Sequence, residues 1–237
     1  MTAQDNQYFE NLYMHTREKE KRVYTNEQVA LLPEISSSHP YYNEWIVRQH
    51  SSEQLVRYLT GKRKALNMLE VGCGNGWLAA KLSAIPKATV TGLDINETEL
   101  NQARAVFKKD NLHFVYDTVR EEIFPGQQFD VVVFAACLPY FSSLNILRSL
   151  FPILAPQGEI HILDTPFYKR EEVEAARERM KAYYAAMDIP EMGNCYYHHS
   201  TEELQAFKPV FLYNPRSVFN RLLRKGYPFP WIVIRGA

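Results

Sequence analysis

The sequence predicts an α/β fold in which a doubly wound, mostly parallel sheet carries helices on both faces. Between residues 66 and 164, short apolar runs rich in β-branched residues alternate with segments of helical spacing. Such alternation is typical of βαβ units, whose crossover helices cover the sheet. Residues 129–136 are apolar at all but one position, which indicates a strand that is buried on both faces.

Five strands are predicted in this region. They cover residues 66–72, 89–94, 112–117, 129–136 and 158–164. Apolar residues at helical spacing predict the helices between them. These residues are Leu78 and Leu82 in the first helix, Leu100, Ala103 and Phe107 in the second, and Leu144, Leu147, Phe151 and Leu154 in a third that Ser142 or Ser143 would cap.

The flanking segments are expected to add to this sheet. Residues 1–65 carry helical patterns and predict an N-terminal helical lid, including a helix that Ser51 or Ser52 would cap. The charge run REKEKR, residues 17–22, is expected to be a solvated helix face. Residues 66–237 are expected to form the main domain, with a helical insertion at about 166–207 and two closing strands, VFLYN and WIVIRG.

Composition excludes several classes of protein. The chain has 237 residues, with 27 Lys+Arg and 27 Asp+Glu, so its net charge gives no support for binding nucleic acid or an anionic membrane. The three cysteines lack metal-ligand spacing and cannot form a disulfide framework, which favours a cytoplasmic protein without a metal. His198 and His199 do not change this expectation, because neighbours on a strand point to opposite faces. No membrane span is expected, since Pro139 and polar residues interrupt the uncharged stretch 131–147.

A glycine cluster lies where the first strand turns into the first helix. Gly72, Gly74 and Gly76 permit a tight turn and a close approach of backbone N–H groups to a ligand. A dinucleotide fingerprint would need its third glycine at position 77, which is Trp77 here, so a nicotinamide oxidoreductase is disfavoured. Asp94 ends the second strand, where a carboxylate can hold ribose hydroxyls, and Asp117 ends the third.

Five stretches together resemble the successive motifs of class I S-adenosylmethionine-dependent methyltransferases. They are LEVGCGNGWLA, GLDIN, VYDTV, FDVVVFAACLPYF and LAPQGEIHILD, and they cover about residues 66–164 in order. The resemblance implies a seven-stranded Rossmann-like sheet whose last strand is antiparallel. It implies S-adenosylmethionine as the cofactor and S-adenosylhomocysteine as its product.

The resemblance also assigns the residues that would bind the cofactor. Gly72, Cys73 and Gly74 would lie at its methionine part, with Glu70 supporting the loop that also contains Gly76. Asp94 would hold the ribose, Ile95 would pack on the adenine, Asp117 and Thr118 would reach the adenine edge, and Ala135 would lie beside the sulfonium. We expect Cys73 to be a small packed residue and not a nucleophile.

This sequence departs from several subfamilies at the end of the fourth strand. Residues 135–140 read AACLPY, without the Asn/Asp-Pro-Pro-Tyr motif of amino and base N-methyltransferases. This argues against methylation of DNA adenine or of glutamine. Cys137 is followed by Leu138 and Pro139, so the Pro-Cys motif of cytosine C5 enzymes is also missing.

Methyl transfer from a sulfonium is an in-line displacement, so a base is needed only where the acceptor loses a proton. His39 and Tyr140 are the candidates for such a base. Aromatic residues expected at the acceptor are Tyr41, Tyr42, Trp45, Tyr140 and Tyr168.

We expect a small-molecule acceptor. Two alternatives stay open, namely a protein or RNA acceptor and a non-catalytic protein that binds S-adenosylmethionine or S-adenosylhomocysteine. A closed, aromatic-lined cavity would favour an enzyme.

Overall fold

The computed structural model describes residues 3–218, 220 and 227–236, which form one seven-stranded sheet flanked by helices. The strands are β1 (Leu66–Val71), β2 (Ala88–Asp94), β3 (Leu112–Tyr116), β4 (Phe129–Ala135), β5 (Leu154–Leu163), β6 (Val210–Tyr213) and β7 (Trp231–Arg235). The α-helices are α1 (Ala3–Lys19), α2 (Asn26–Leu31), α3 (Tyr42–Thr60), α4 (Trp77–Leu82), α5 (Glu97–Val106), α6 (Val173–Ala186) and α7 (Thr201–Leu204). None of these helices is long and apolar enough to cross a membrane.

The strand order is β3-β2-β1-β4-β5-β7-β6. Strands β1 to β5 are parallel, and β7 runs antiparallel between β5 and β6. This arrangement confirms the predicted doubly wound, mostly parallel sheet with an antiparallel last strand. The order reverses between β1 and β4, so a crevice opens at the carboxyl ends of these two strands.

The two faces of the sheet carry separate cores, as alternation along β1 shows. Leu69 and Val71 point to one face, where they join Phe134 and Leu147 in a buried cluster. Met68 points to the other face, and the cluster there includes residues of the N-terminal helices. These are Val29 of α2 and Trp45, Leu55 and Leu59 of α3. The N-terminal helices therefore cover one face of the sheet.

Helix α3 begins nine residues before the predicted cap, so the prediction that Ser51 or Ser52 starts a helix is wrong. Both serines are buried inside the helix. The Ser52 hydroxyl donates to the carbonyl of Gln49 at 2.7 Å, and the Ser51 hydroxyl lies 3.1 Å from the carbonyl of Arg48. A serine in the middle of a helix commonly makes such a back-bond. The true N-cap is Tyr41, whose side chain makes no capping hydrogen bond.

The segment Leu144–Ile153 is a 3-10 helix and not the predicted α-helix. Its buried residues are Leu144, Leu147, Leu150 and Ile153, which recur every three residues, as a 3-10 helix requires. The predicted stripe is therefore wrong at two positions. Phe151 is exposed, and Leu154 is the first residue of β5. Ser143 caps the segment as predicted, because its hydroxyl accepts from the backbone N–H of Asn145.

Gly76 precedes α4 in a left-handed conformation, with φ at 77°. A Cβ at this position would lie 2.6 Å from the ring of Phe114 and 2.8 Å from the Cβ of Ala103. Glycine here lets α4 begin against β3 and α5. Gly126 has a similar φ of 72°, but a Cβ added there would meet none of the described atoms within 4 Å.

We predict that Gly76→Ala lowers the free energy of unfolding by about 1–3 kcal/mol more than Gly126→Ala, because both changes strain the backbone but only the first overpacks the core. Urea unfolding of the two variants and the wild-type protein measures this difference. Equal losses would contradict the packing role of Gly76.

Candidate active site

A cavity of about 360 Å³ opens at the carboxyl ends of β1, β2, β4 and β5, where the strand order reverses. This volume falls within the usual range for small-ligand sites, about 300–1,000 Å³. Residues from α1 and α3 complete the wall opposite the sheet, among them Tyr13, Arg17, Trp45 and Arg48. The N-terminal helices therefore form one side of the cavity.

Most of the residues predicted for the cofactor and acceptor meet at this cavity. Those that line it are Glu70, Gly72, Cys73, Gly74, Asp94, Ile95, Asp117, Thr118, Ala135, Trp45 and Tyr140. Five predicted residues do not line it, namely Gly76, His39, Tyr41, Tyr42 and Tyr168.

The glycine loop owes its shape to left-handed backbone. Gly72 and Gly74 have φ values of 69° and 52°, which residues with a Cβ rarely adopt. A Cβ on Gly72 would lie 2.5 Å from the Cβ of Cys137, and one on Gly74 would lie 3.1 Å from Oε2 of Glu99. These two glycines therefore keep the loop close to its neighbours and its N–H groups near the cavity.

Asp94 fastens this loop to the end of β2. Its Oδ2 accepts from the backbone N–H of Gly74 at 2.7 Å, and its Oδ1 accepts from the N–H of Asn96 at 2.9 Å. A carboxylate offers about four acceptor positions, so further donors such as ribose hydroxyls can still bind. Burial raises the pKa of Asp94, and the backbone donors oppose that rise.

Glu70 carries an unused acceptor that faces the same cavity. Its Oε2 is buried and has no hydrogen-bond partner among the residues that the structure describes. Burial and the charge of Asp94 raise the pKa of Glu70 well above its ordinary value. A buried acceptor without a donor is unfavourable, and a ligand that brings a positively charged N–H donor would satisfy it. The ammonium group of the cofactor's methionine part fits this requirement.

Asp117 and Thr118 lie at the far end of the cavity, after β3. The Asp117 carboxylate accepts from the N–H of Thr118 at 2.7 Å and from Arg120 at 2.8 Å. Cys73 lies in the glycine loop, and burial raises the pKa of its thiol well above the ordinary value. This thiol therefore stays protonated, in agreement with the expectation that Cys73 is a packed residue.

Comparison with known proteins shows which family this chain resembles. The family profile described as "Methyltransferase domain" matches residues 68–158, which run from within β1 to within β5. The ubiquinone/menaquinone biosynthesis C-methyltransferase of Vibrio parahaemolyticus is 30% identical over 141 residues, which are 56% of this chain and 53% of that protein. Over residues 68–158 the chain is therefore similar to the methyltransferase-domain family. It spans about half the length of this curated relative (53%).

Solved structures of methyltransferases share the fold of this chain. Magnesium protoporphyrin IX methyltransferase of Synechocystis with bound SAH has a TM-score of 0.59 at 13% identity, over 94% of this chain and 95% of that one. The plantazolicin methyltransferase in complex with SAH has a TM-score of 0.54 at 18% identity, over 93% and 99%. At such identities the likeness concerns the fold.

The five predicted residues outside the cavity have other contacts. The Nδ1 atom of His39 accepts from the N–H of Tyr41, and the hydroxyl of Tyr41 donates to the carbonyl of Glu20 at 2.6 Å. Tyr42 is the first residue of α3, and Tyr168 packs against His198. Gly76 has the packing position described above. His39 packs against Tyr24, a lining residue, and is not itself part of the cavity wall, while Tyr140 is.

Sequence reasoning missed the charged residues that the N-terminal segments bring to the cavity. Arg17, Arg22, Glu44 and Arg48 line it, so the expectation that residues 17–22 form a solvated face is wrong for both arginines. Arg17 donates to Oε2 of Glu20 at 2.7 Å and to the Tyr140 hydroxyl at 3.0 Å. A mixed charge run gives no local signal for such burial, because its partners come from distant segments.

Helix α1 is held over the cavity by a buried carboxylate. Oε1 of Glu10 accepts from the N–H and hydroxyl of Thr98, at 3.1 and 3.3 Å, in the first turn of α5. A carboxylate is favourable at this position because the N-terminus of a helix carries partial positive charge. The contact joins the N-terminal helix to the element that follows Asp94.

Glu99 brings a further carboxylate to the cavity. Burial raises the pKa of Glu99 from its ordinary value of 4.5 to about 7, and the charge of Asp94 acts in the same direction. Arg17 and Arg48 oppose this rise, and Glu10 adds to it. Glu70, Asp94 and Glu99 are therefore buried carboxylates whose ionised forms a cation in the cavity would stabilise.

We predict that Glu99→Gln raises the free energy of unfolding at pH 8 by about 1–2 kcal/mol and leaves it nearly unchanged at pH 4. The folded protein keeps Glu99 protonated up to about pH 7, whereas the unfolded chain loses this proton near the ordinary pKa of 4.5. The free energy of unfolding of the wild-type protein therefore falls as the pH rises from 4.5 to about 7. The gain is modest because the carboxylate faces a solvent-accessible cavity.

Chemical denaturation at both pH values, without ligand, measures this effect. Glu97→Gln, in the same helical turn and 42% exposed, is the matched control for the loss of one carboxylate. If Glu99→Gln raised the free energy of unfolding equally at both pH values, the result would contradict the burial of a charge at this position.

Proposed function

We propose that this chain catalyses the transfer of a methyl group from S-adenosylmethionine to a small-molecule acceptor in the cytoplasm. The observation that carries the proposal is the cavity in which predicted cofactor residues and aromatic side chains of the N-terminal segments meet. An aromatic-lined cavity favours an enzyme over a protein that only binds the cofactor. The neutral net charge supports an acceptor other than nucleic acid, and the free cysteines support a reducing compartment.

The residues of the chain divide the cavity into two parts. The loop of Gly72 and Gly74, with Glu70, Asp94 and Asp117, would hold the cofactor. S-adenosylmethionine, when bound, supplies a methyl group that is activated by a positively charged sulfur. Tyr13, Trp45 and Tyr140 would enclose the acceptor, exclude water and align it for in-line attack.

The curated relative supports a small acceptor, because its name describes a C-methyltransferase of ubiquinone and menaquinone biosynthesis. The enclosing N-terminal helices support the same proposal. A helix held over the cavity by Glu10 leaves less room for a macromolecular acceptor than an open crevice would.

We predict that Asp94→Ala weakens the binding of both S-adenosylmethionine and S-adenosylhomocysteine by about 1.5–3 kcal/mol, the scale of charged hydrogen bonds. The variant loses both the proposed ribose acceptor and the anchor of Gly74. Isothermal titration calorimetry gives the affinities. Asp110→Ala, an exposed carboxylate before β3, is the matched control. Unchanged affinity in a folded Asp94→Ala variant would remove Asp94 from the cofactor site.

We predict that S-adenosylmethionine and S-adenosylhomocysteine, but not NADH, raise the melting temperature of the wild-type protein. A ligand at about 100 times its Kd adds roughly 2.7 kcal/mol to the free energy of unfolding, which for a chain of this size raises the melting temperature by about 5–11 °C.

A second measurement tests the acceptor class. Protein that carries methyl-tritiated S-adenosylmethionine is incubated with the small-molecule, protein and RNA fractions of its native cells. Label in the small-molecule fraction is expected. Label in protein or RNA would overturn the acceptor class, and cofactor binding without transfer would favour a non-catalytic role.

A further inference from the structure

A buried carboxylate, Asp164, follows β5 and lines the cavity beside the end of β4. The two strands are in register at this point, since Ala135 pairs with Leu163 and the N–H of Ala136 donates to the Leu163 carbonyl at 3.1 Å. Both strands end in left-handed backbone, with φ of 59° at Ala136 and 51° at Asp164. Non-glycine residues in this conformation cluster at functional sites. Here it turns the chain away from the sheet at the cavity wall.

The contacts of Asp164 hold it in place and leave it able to accept a proton. Ser51 of α3 donates its hydroxyl to Oδ2 of Asp164 at 2.8 Å. A carboxylate has about four acceptor positions, so positions remain for a ligand beside this hydrogen bond. Arg48 and Glu44, both on α3, are its charged neighbours. Burial raises the pKa of Asp164 to about 6, which suits a general base near neutral pH.

Glu99 also has a raised pKa, of about 7, but its carboxylate lies beside Gly74 in the part of the cavity proposed for the cofactor. Tyr140 and the two thiols at the cavity are poorly suited to take a proton. Burial raises the pKa of Tyr140, so its hydroxyl stays protonated, and it already accepts a hydrogen bond from Arg17. Burial likewise raises the pKa of the thiols of Cys73 and Cys137. His39 lies outside the cavity lining.

The lining of the cavity indicates what kind of molecule would meet Asp164. Tyr13, Tyr24 and Trp45 present aromatic surface to the cavity, which suits a planar acceptor. The arginines nearby share one carboxylate, since Arg22 and Arg48 both contact Glu44, at 2.7 and 2.8 Å. A fixed anionic group on the acceptor would be repelled by the Asp164 carboxylate, because like charges disfavour each other. A neutral molecule with one acidic O–H suits the site better.

We propose that Asp164 is the catalytic base of this chain and that the acceptor is an aromatic hydroxyl compound, methylated at that hydroxyl. The inference rests on the proposed function, since it assigns the proton that methyl transfer releases. The acceptor oxygen forms a bond to the methyl carbon, and the carbon–sulfur bond breaks with its electron pair going to sulfur. The O–H proton goes to the Asp164 carboxylate and from there to water as the product leaves. Ser51 is a positioning residue that orients the carboxylate.

The first test uses 4-nitrophenol, whose colour reports its ionisation, and needs no cofactor. The negative charge of Asp164 should disfavour the bound phenolate, so bound nitrophenol should ionise at a pH about one unit or more higher in the wild-type protein than in Asp164→Asn. Visible titration of the bound dye measures this. Asn tolerates the left-handed conformation, so the variant is expected to fold. Asp130→Asn, at the opposite end of β4, is the matched control. Equal ionisation in both proteins, or no binding of the dye, overturns the proposal.

The second test compares methyl transfer from S-adenosylmethionine to phenol, 4-nitrophenol and benzylamine. Asp164→Asn should lower kcat for phenol about 100-fold, the scale of general base catalysis, and lower it much less for nitrophenol, which ionises unaided. Ser51→Ala keeps the carboxylate and should give an intermediate loss on phenol only. Equal losses on both phenols overturn the base role, and preference for benzylamine overturns the acceptor class. Suppose that the wild-type protein binds S-adenosylmethionine and labels the small-molecule fraction but methylates neither phenol. That result overturns this inference and leaves the proposed function standing. Failure to bind S-adenosylmethionine overturns the proposed function itself.

Discussion

The hydrogen bond from the Gly74 N–H to the Asp94 carboxylate is the contact on which the geometry of the site depends. It ties the loop after β1 to the loop after β2 at the point where the sheet changes direction. The left-handed glycines can follow this path, and Glu70, Glu99 and helix α1 are then arranged around it. The result is a group of buried carboxylates with raised pKa values, and a positively charged ligand would stabilise their ionised forms.

The sheet and the cofactor side of the site could be predicted because their signals are local. Each strand is a short apolar run, and Gly72, Gly74 and Asp94 stand directly at strand ends. Parallel strands bring these ends together whatever the rest of the chain does. Asp164 could have been recognised in the same way, since it too ends a predicted strand, but its importance depends on Ser51 and on the aromatic wall.

The acceptor side was less predictable because it depends on contacts between distant segments. In α1 the aromatic Tyr8 is 57% exposed, whereas the charged Glu10 is 6% exposed. Arg17 is buried because Tyr140 and Tyr13 surround it, and no pattern within residues 17–22 reports those partners. Ser51 was wrongly predicted as a cap for a related reason, since its hydroxyl serves Asp164, far along the chain.

The position of β7 between β5 and β6 also constrains the order of assembly. In the described residues β6 pairs only with β7, and β7 is the later of the two in the chain. During synthesis β6 therefore emerges with no strand to join, and β5 keeps an open edge until β7 is made. Such an edge is a template for wrong pairing. A ribosome that stalls before residue 231 would release a chain with its sheet unfinished, so the protein depends on its distal segment for protection from aggregation.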